Sequence, residues 1–267
     1  MTKRSFGLEK ILVVTLALSL LGGCGRNDTV YTDGNGVKIA GEVLVSSDGR
    51  ALLPRGFYNQ SVNKAVVDVW MGSTNYPYLR LRILDGTNAA GGFNGPGIGN
   101  RALVGLAQYD ATLLATFDGV KFDFASDLLM PEVLLLVDLD CTGSVPRVLR
   151  ADSSKLLPGI TLEGGFRRLD ATPVTAAWTT NLDITDPGSP STVLLSTTTP
   201  KTLTDVIAAY PNACIRNSAS FDLGMPKSLP TAGVLLSLGG TNNSVPSTVL
   251  IDRIEIGTDI YNDWEQL

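Results

Sequence analysis

The stretch YLRLRIL, residues 78–84, alternates apolar and basic side chains along most of its length. Successive side chains of a β-strand point to opposite faces, so this period of two predicts a strand with one buried face and one polar face. The segment VKFDFAS, residues 120–126, alternates in the same way. The two segments together indicate half-buried antiparallel strands.

Four other apolar segments predict further strands, namely AVVDVWM (residues 65–71), VLLLVDLD (133–140), GVLLSL (233–238) and TVLIDRIEI (248–256). The run 133–137 contains no polar residue, so we expect a strand that is covered on both faces. Segments rich in glycine, proline and asparagine separate these strands, as is typical of loops. The chain is therefore predicted to be mostly β-structure.

One segment, residues 203–210, has the periodicity of a helix instead. Its apolar residues recur at positions i, i+3, i+4 and i+7, which places them on one helical face. Thr202 is expected to cap the N-terminus, with Asp205 three residues later, and Pro211 to end the helix.

The sequence thus predicts an all-β fold, an antiparallel β-sandwich that we expect to be a jelly roll, with one short helix near residues 203–210. The closing strand, residues 248–256, resembles the last strand of galactose-binding-like and carbohydrate-binding-module sandwiches. That resemblance implies a body that binds carbohydrate.

The N-terminus has the pattern of an export signal. Three basic residues precede the uncharged apolar run 11–21, which is too short to span a bilayer comfortably as a helix. A basic start, a short apolar segment and small residues before a cleavage point indicate a signal peptide. The residues LGGC, 21–24, resemble the lipobox of bacterial lipoproteins.

This resemblance implies that Cys24 carries a diacylglyceryl group on sulfur and an acyl group on its new amino terminus. Residues 1–23 would then be a signal peptide, residues 24–36 a lipidated polar tether, and residues 37–267 the β-sandwich. Several acyl chains hold a protein stably on a bilayer, whereas one chain does so only weakly. Gly25 in place of aspartate implies sorting to the outer membrane. The alternative is an ordinary secretory signal with an unmodified cysteine.

Composition excludes several classes of function. The chain contains no histidine, which excludes Ser-His-Asp and Cys-His catalysis and histidine-ligated zinc. Its formal net charge is −5 and it has no basic cluster, so nucleic acid is not expected as a partner. Because most nucleophilic triads are excluded in this way, we do not expect the protein to be an enzyme.

Two cysteines, Cys141 and Cys214, remain when Cys24 is lipidated. An exported chain meets an oxidising compartment, so this pair is expected to form a disulfide. The alternative, a reactive or metal-binding thiol pair, lacks the neighbouring histidine or CxxC spacing that such sites use.

Candidate ligand-binding residues are aromatic and basic. Sugar-binding sandwiches stack Trp and Tyr rings on pyranose faces and direct polar groups to the hydroxyls, which is the general pattern of a ligand site. The residues in question are Tyr76, Tyr78, Arg80 and Trp178. The alternative is that the rings belong to the core.

Three aspartates, Asp138, Asp140 and Asp252, stand at the end of one predicted strand or within another. We predict that Asp252 shares a face with Leu250, Ile254 and Ile256. A buried carboxylate needs a partner, and calcium prefers such oxygens together with loop carbonyls. A structural calcium ion is one prediction, and hydrogen-bonded aspartates without metal are the alternative. No other cofactor is expected.

We predict from these features a lipid-anchored envelope protein whose β-sandwich binds a glycan or a surface partner. A different class is also open, namely a structural or assembly subunit of the envelope with no small ligand. A carboxylate-dependent glycoside hydrolase is the third, although no spacing selects a catalytic pair. The bilayer itself is the expected partner of the N-terminal acyl chains.

Overall fold

The computed structural model describes residues 27–32, 38–43, 57–59, 65–72, 77–84, 101–152, 165–217, 232–239, 246–262 and 264. Its elements in chain order are β1 (Asn27–Thr32), β2 (Lys38–Val43), β3 (Phe57–Asn59), β4 (Ala65–Gly72), β5 (Pro77–Ile83), β6 (Arg101–Leu106), β7 (Val120–Ser126), β8 (Glu132–Asp138), β9 (Pro146–Asp152), β10 (Arg167–Ala171), β11 (Trp178–Thr180), β12 (Ile184–Asp186), β13 (Ser189–Leu195), α1 (Thr204–Ala209), β14 (Cys214–Ile215), β15 (Val234–Gly239), β16 (Ser247–Ile256) and β17 (Asp259–Tyr261). A short 3-10 helix lies between β6 and β7.

The strands form two large antiparallel sheets and one small hairpin. The first sheet has the order β1-β2-β4-β5-β16-β7-β10, with β17 paired to β16. The second has the order β11-β9-β8-β15-β6-β3, with β14 paired to β8, and β12 pairs with β13. The chain passes from one large sheet to the other several times, for example between β5 and β6 and between β6 and β7. The predicted all-β antiparallel sandwich is confirmed, and all six strands predicted from the sequence are present.

The core lies between the two sheets and follows the predicted alternation. Leu79 and Leu81 of β5 are fully buried in it, as are Leu135 of β8 and Leu236 of β15. Apolar burial of this kind contributes about 25 cal/mol per Å² and is the main force that holds the sheets together. The outward side chains of β5 lie on the face of the first sheet that is turned away from the second, which we call the outer face of the first sheet.

Strand β8 is buried on both faces, as its uninterrupted apolar sequence predicts. Leu135 belongs to the core between the sheets, whereas Leu134 and Leu136 belong to a separate buried cluster with Leu103 and Leu235. The second sheet is therefore covered on its far side as well.

Strand β16 departs from the predicted alternation. Its pairing with β7 has a β-bulge between Ile251 and Arg253. Because the bulge inserts one residue, the alternation changes phase there, so that Leu250 lies on the outer face while Ile254 points into the core. The prediction that Asp252 shares one face with both residues was wrong for this reason.

Helix α1 occupies the predicted place, and Val206 on its apolar face is buried. The predicted cap was wrong, because the helix begins after Leu203 and no side chain caps it. The hydroxyl of Thr202 lies 3.2 Å from the hydroxyl of Thr204 instead. Burial of Leu203 fixes the helix start by packing, not by capping.

The predicted tether, residues 24–36, contains a strand. Strand β1 pairs antiparallel with β2 at the edge of the first sheet. Its threonine, valine and tyrosine residues favour β-structure despite the polar surroundings. The predicted signal peptide, residues 1–23, and Cys24 lie outside the described residues. Among the helices that can be described, none has the length and apolar character needed to cross a membrane.

Candidate functional site

The predicted ligand residues Tyr78 and Arg80 lie on the outer face of the first sheet, and Tyr76 lies outside the described residues. The half-buried ring of Tyr78 stacks on Phe166, with centroids 5.5 Å apart and planes at 19°. It also lies 6.2 Å from the ring of Trp70, which is buried. The ring of Tyr78 is thus held between two aromatic neighbours.

Arg80 forms a buried ion pair with Asp68. Its Nε and Nη2 atoms donate to the two carboxylate oxygens of Asp68 at 2.8 and 3.1 Å, and both residues are buried. Arg82 donates to the same carboxylate at 3.0 Å. The Arg80 guanidinium also lies 5.5 Å from the centre of the Trp70 ring. Bidentate bonds of this kind fix geometry, so Arg80 mainly orders the outer face.

The side chain of Trp178 is not exposed to solvent and cannot contact a ligand at the surface. Its side chain is fully buried in the core, and its Nε1 donates to the backbone carbonyl of Thr172 at 3.0 Å. A buried indole with a satisfied N–H is a packing residue. Trp178 is therefore not a surface ligand-binding residue. The side chains of Trp70 and Trp264 are buried as well.

Asp138 and Asp140 order the turn between β8 and β9. The carboxylate of Asp138 accepts from the backbone N–H of Gly143 and, at 3.1 Å, from that of Val145. The carboxylate of Asp140 accepts from the Ser144 hydroxyl and, at 3.0 Å, from the Thr142 backbone N–H. These two bonds hold the pKa of Asp140 well below its usual range.

Asp252 lies apart from this turn, at the bulge of β16, and it is half-buried. Burial, and secondly the charge of Asp252, raise the pKa of Tyr78. Within the part of the chain that can be described, no three acidic or cysteine side chains come together as a metal site. The structure therefore does not bring the three aspartates into one group, and calcium stays a prediction.

The disulfide between Cys141 and Cys214 is confirmed, with Cα atoms 5.4 Å apart. Cys141 lies in the turn after β8, and Cys214 begins β14, which pairs with β8. The bridge connects this turn to the segment that follows α1.

A second polar group joins the two sheets, and none of its members is among the residues that the sequence predicts. It consists of Gln108, Tyr109, Asp259 and Tyr261, and we call it the tyrosine cluster. The first two residues follow β6 of the second sheet, and the other two lie on β17, which pairs with β16 of the first. Residues 259 and 261 share one face of β17 because they are two positions apart.

Hydrogen bonds connect all four side chains of the tyrosine cluster. The Tyr109 hydroxyl donates to Asp259 Oδ2 at 2.9 Å, and the two phenol oxygens lie 2.9 Å apart. The amide Nε2 of Gln108 donates to the Tyr261 hydroxyl at 2.7 Å. Gln108 and Asp259 are exposed, while the two tyrosines are half-buried. The cluster therefore presents polar atoms at the protein surface.

Aromatic contacts hold the tyrosine rings in place. Phe57 meets Tyr261 edge to face, with centroids 5.2 Å apart and planes at 84°. Phe117 meets Tyr109 at 6.1 Å and 70°. Such pairs contribute about 0.5–1.5 kcal/mol each beyond their burial. These contacts fix the orientation of the two tyrosine rings.

Burial, followed by the hydrogen bonds to Tyr261 and Asp259, raises the pKa of Tyr109 far above its usual range. The phenol therefore stays protonated near neutral pH and keeps its proton for the hydrogen bond to Asp259. The groups that the tyrosine cluster presents are hydrogen-bonding ones, namely two phenols, a carboxylate and an amide.

No sequence signal identifies this cluster. The residues 107–110, AQYD, read as a polar turn after an apolar strand, and the residues 258–261, TDIY, read as the end of the chain's last strand region. The two tyrosines are 152 positions apart. Only the pairing of β17 with β16 and the packing of the two sheets bring them together.

Comparison of the chain with protein-family models, with curated proteins and with solved structures finds no match in any of the three.

Proposed function

We propose that this chain is a lipoprotein of the bacterial envelope, held at the outer membrane by acyl chains on Cys24, and that its β-sandwich binds a glycan. The observation that carries the binding role is the tyrosine cluster, in which two fixed phenols, a carboxylate and an amide meet at the surface. Ligand sites use such convergent polar groups beside aromatic walls.

The lipobox-like residues 21–24 support the anchor. Because acyl chains bind a bilayer through about 0.8 kcal/mol per buried methylene, three of them give stable retention. Cys24→Ala should therefore move the protein from the membrane fraction to the soluble fraction of the cell envelope. Fractionation with mass spectrometry of the N-terminus checks this. A variant that stays in the membrane fraction would contradict the anchor.

Removal of the phenol hydroxyls tests the binding role. We expect the full-length protein in detergent to bind glycans on an array, and Tyr109→Phe/Tyr261→Phe to bind its best glycan about tenfold more weakly, the equivalent of 1.4 kcal/mol. Each hydroxyl that serves a ligand contributes roughly 0.5–1.5 kcal/mol, which makes this loss reasonable for two.

Tyr210→Phe is the matched control for this experiment. Its hydroxyl donates to the backbone carbonyl of Thr185 at 2.7 Å, so the variant loses a phenol hydrogen bond outside the tyrosine cluster. We expect it to bind like the unmodified protein. The absence of any glycan ligand, or equal losses in the double variant and in Tyr210→Phe, would contradict the proposal.

A structural or assembly subunit of the envelope is the second function, and the burial of all three tryptophans favours it. Tryptophan is a strong ring for stacking on sugars, and here every indole packs inside the protein. A subunit of this kind would copurify with a protein of the envelope after crosslinking and would bind no glycan.

A further inference from the structure

The hydrogen bonds of the tyrosine cluster run in one direction. A phenol has one proton, and the Tyr109 hydroxyl donates it to Asp259 Oδ2. The contact between the two phenol oxygens must then be donated by Tyr261. Gln108 donates to the Tyr261 oxygen in turn. The chain of donors therefore runs from Gln108 through Tyr261 and Tyr109 to the carboxylate of Asp259.

This direction decides what the cluster offers to a ligand. Both phenol protons are used within the cluster, so each phenol offers only oxygen lone pairs. The carboxylate of Asp259 accepts only, and it is exposed. Hydrogen bonds in a chain polarise one another, which strengthens an ordered run of this kind. The atoms at the Asp259 end are therefore acceptors, and they fit a ligand that brings hydrogen-bond donors.

The charge around the cluster adds to this preference. Within the described residues, Asp259 forms no ion pair with a lysine or arginine side chain. A second carboxylate, that of Asp118, lies beside Gly257 at the turn between β16 and β17, since a Cβ on that glycine would stand 3.0 Å from Asp118 Oδ2. Asp118 and Asp259 therefore place two carboxylates near the turn between β16 and β17.

We propose that the tyrosine cluster selects a glycan that carries free protonated amino groups. An ammonium group donates three hydrogen bonds and accepts none, so it matches an acceptor surface with a negative charge. The hydroxyls of a neutral sugar can donate to the same oxygens but carry no positive charge. The carboxylate of a uronic acid is repelled by the carboxylate of Asp259. This inference rests on the proposed glycan-binding function and gives the chemical class of its ligand.

The test compares three hexasaccharides of different charge on the full-length protein in detergent, at mildly acidic pH and low ionic strength. They are the hexamers of glucosamine, of glucose and of galacturonate, which are cationic, neutral and anionic. Calorimetry should give the glucosamine hexamer an affinity about tenfold above that of the glucose hexamer, with galacturonate weakest. The preference should shrink in about 1 M salt, where the Debye length is about 3 Å.

Asp259→Asn should reduce the preference for the cationic hexamer to about twofold or less, because the amide keeps the shape but loses the charge. Asp170→Asn removes the same charge from an exposed aspartate on β10, so it controls for the net charge of the protein. It should keep the preference. Thermal unfolding checks that both variants are folded. Tyr109→Phe is a second test of the cluster. It removes the hydroxyl that donates to Asp259 and should lower the affinity for the cationic hexamer.

Equal affinity for the three hexamers, or tighter binding of galacturonate, would overturn the charge selection and leave glycan binding in place. An undiminished preference in Asp259→Asn would overturn the assignment to this cluster. If none of the three hexamers binds and no glycan on the array binds either, the glycan-binding function itself would be overturned.

Discussion

Replacing Cys141 and Cys214 together with alanine is expected to lower the free energy of unfolding by about 4 kcal/mol. The two cysteines are 73 positions apart, so the bridge closes a long loop in the unfolded chain. In the chain-entropy model, the constraint on the unfolded state grows with the length of that loop. Cys214 is fully buried, and its truncation adds a small packing loss.

Urea unfolding of the full-length protein in detergent measures this loss, and a scan in temperature should show a midpoint about 10 °C lower. Dithiothreitol should lower the stability of the unmodified protein by a similar amount and leave the double variant unchanged. A loss below about 1 kcal/mol would mean that the segment after α1 is held by packing without help from the bridge.

The strands could be predicted because periodicity and burial coincide in them. In β5 the three apolar side chains of residues 79–83 are buried in the core, and the intervening arginines lie on the outer face. In β8 an apolar residue occupies every position from 133 to 137, and both faces are covered. Such patterns depend only on which side of a strand meets the core.

The bulge in β16 could not be predicted, because the run Val249-Leu250-Ile251 is apolar at every position and therefore compatible with either phase. The burial of Trp178 has a similar origin. Its strand, β11, is three residues long, and the indole points to the Thr172 carbonyl within the core. The direction of a ring in so short a strand depends on the packing of its neighbours.

The tyrosine cluster could not be predicted because it depends on contacts between distant parts of the chain. Tyr109 follows β6 of the second sheet and Tyr261 lies on β17 of the first, so a hydrogen bond between them exists only when those sheets are packed. The shared face of Tyr78 and Arg80, in contrast, follows from the sequence, because they are two positions apart on one predicted strand. Their partners come from other parts of the chain. Phe166 lies just before β10 and stacks on Tyr78, and Asp68 lies on β4 and pairs with Arg80.

Asp68→Ala is expected to destabilise the protein by about 3–5 kcal/mol, because it removes one partner of a buried ion pair. Arg80 would lose both hydrogen bonds to the carboxylate while only 4% of its surface reaches solvent. Arg82 would lose one bond as well. Urea unfolding at neutral pH measures the effect.

Two further variants distinguish the stability cost of an unpaired buried charge from the cost of losing an ion pair. Asp68→Leu/Arg80→Met replaces both charges by apolar side chains and should cost less than Asp68→Ala alone, since no guanidinium is then left buried at position 80. Asp170→Asn breaks the exposed pair with Lys121, whose atoms are 3.8 Å apart, and should change stability by less than about 1 kcal/mol. If Asp68→Ala proved no more harmful than Asp170→Asn, the Arg80 guanidinium would have to be satisfied without Asp68, by water or by other groups, and the cost assigned here to the broken ion pair would be wrong.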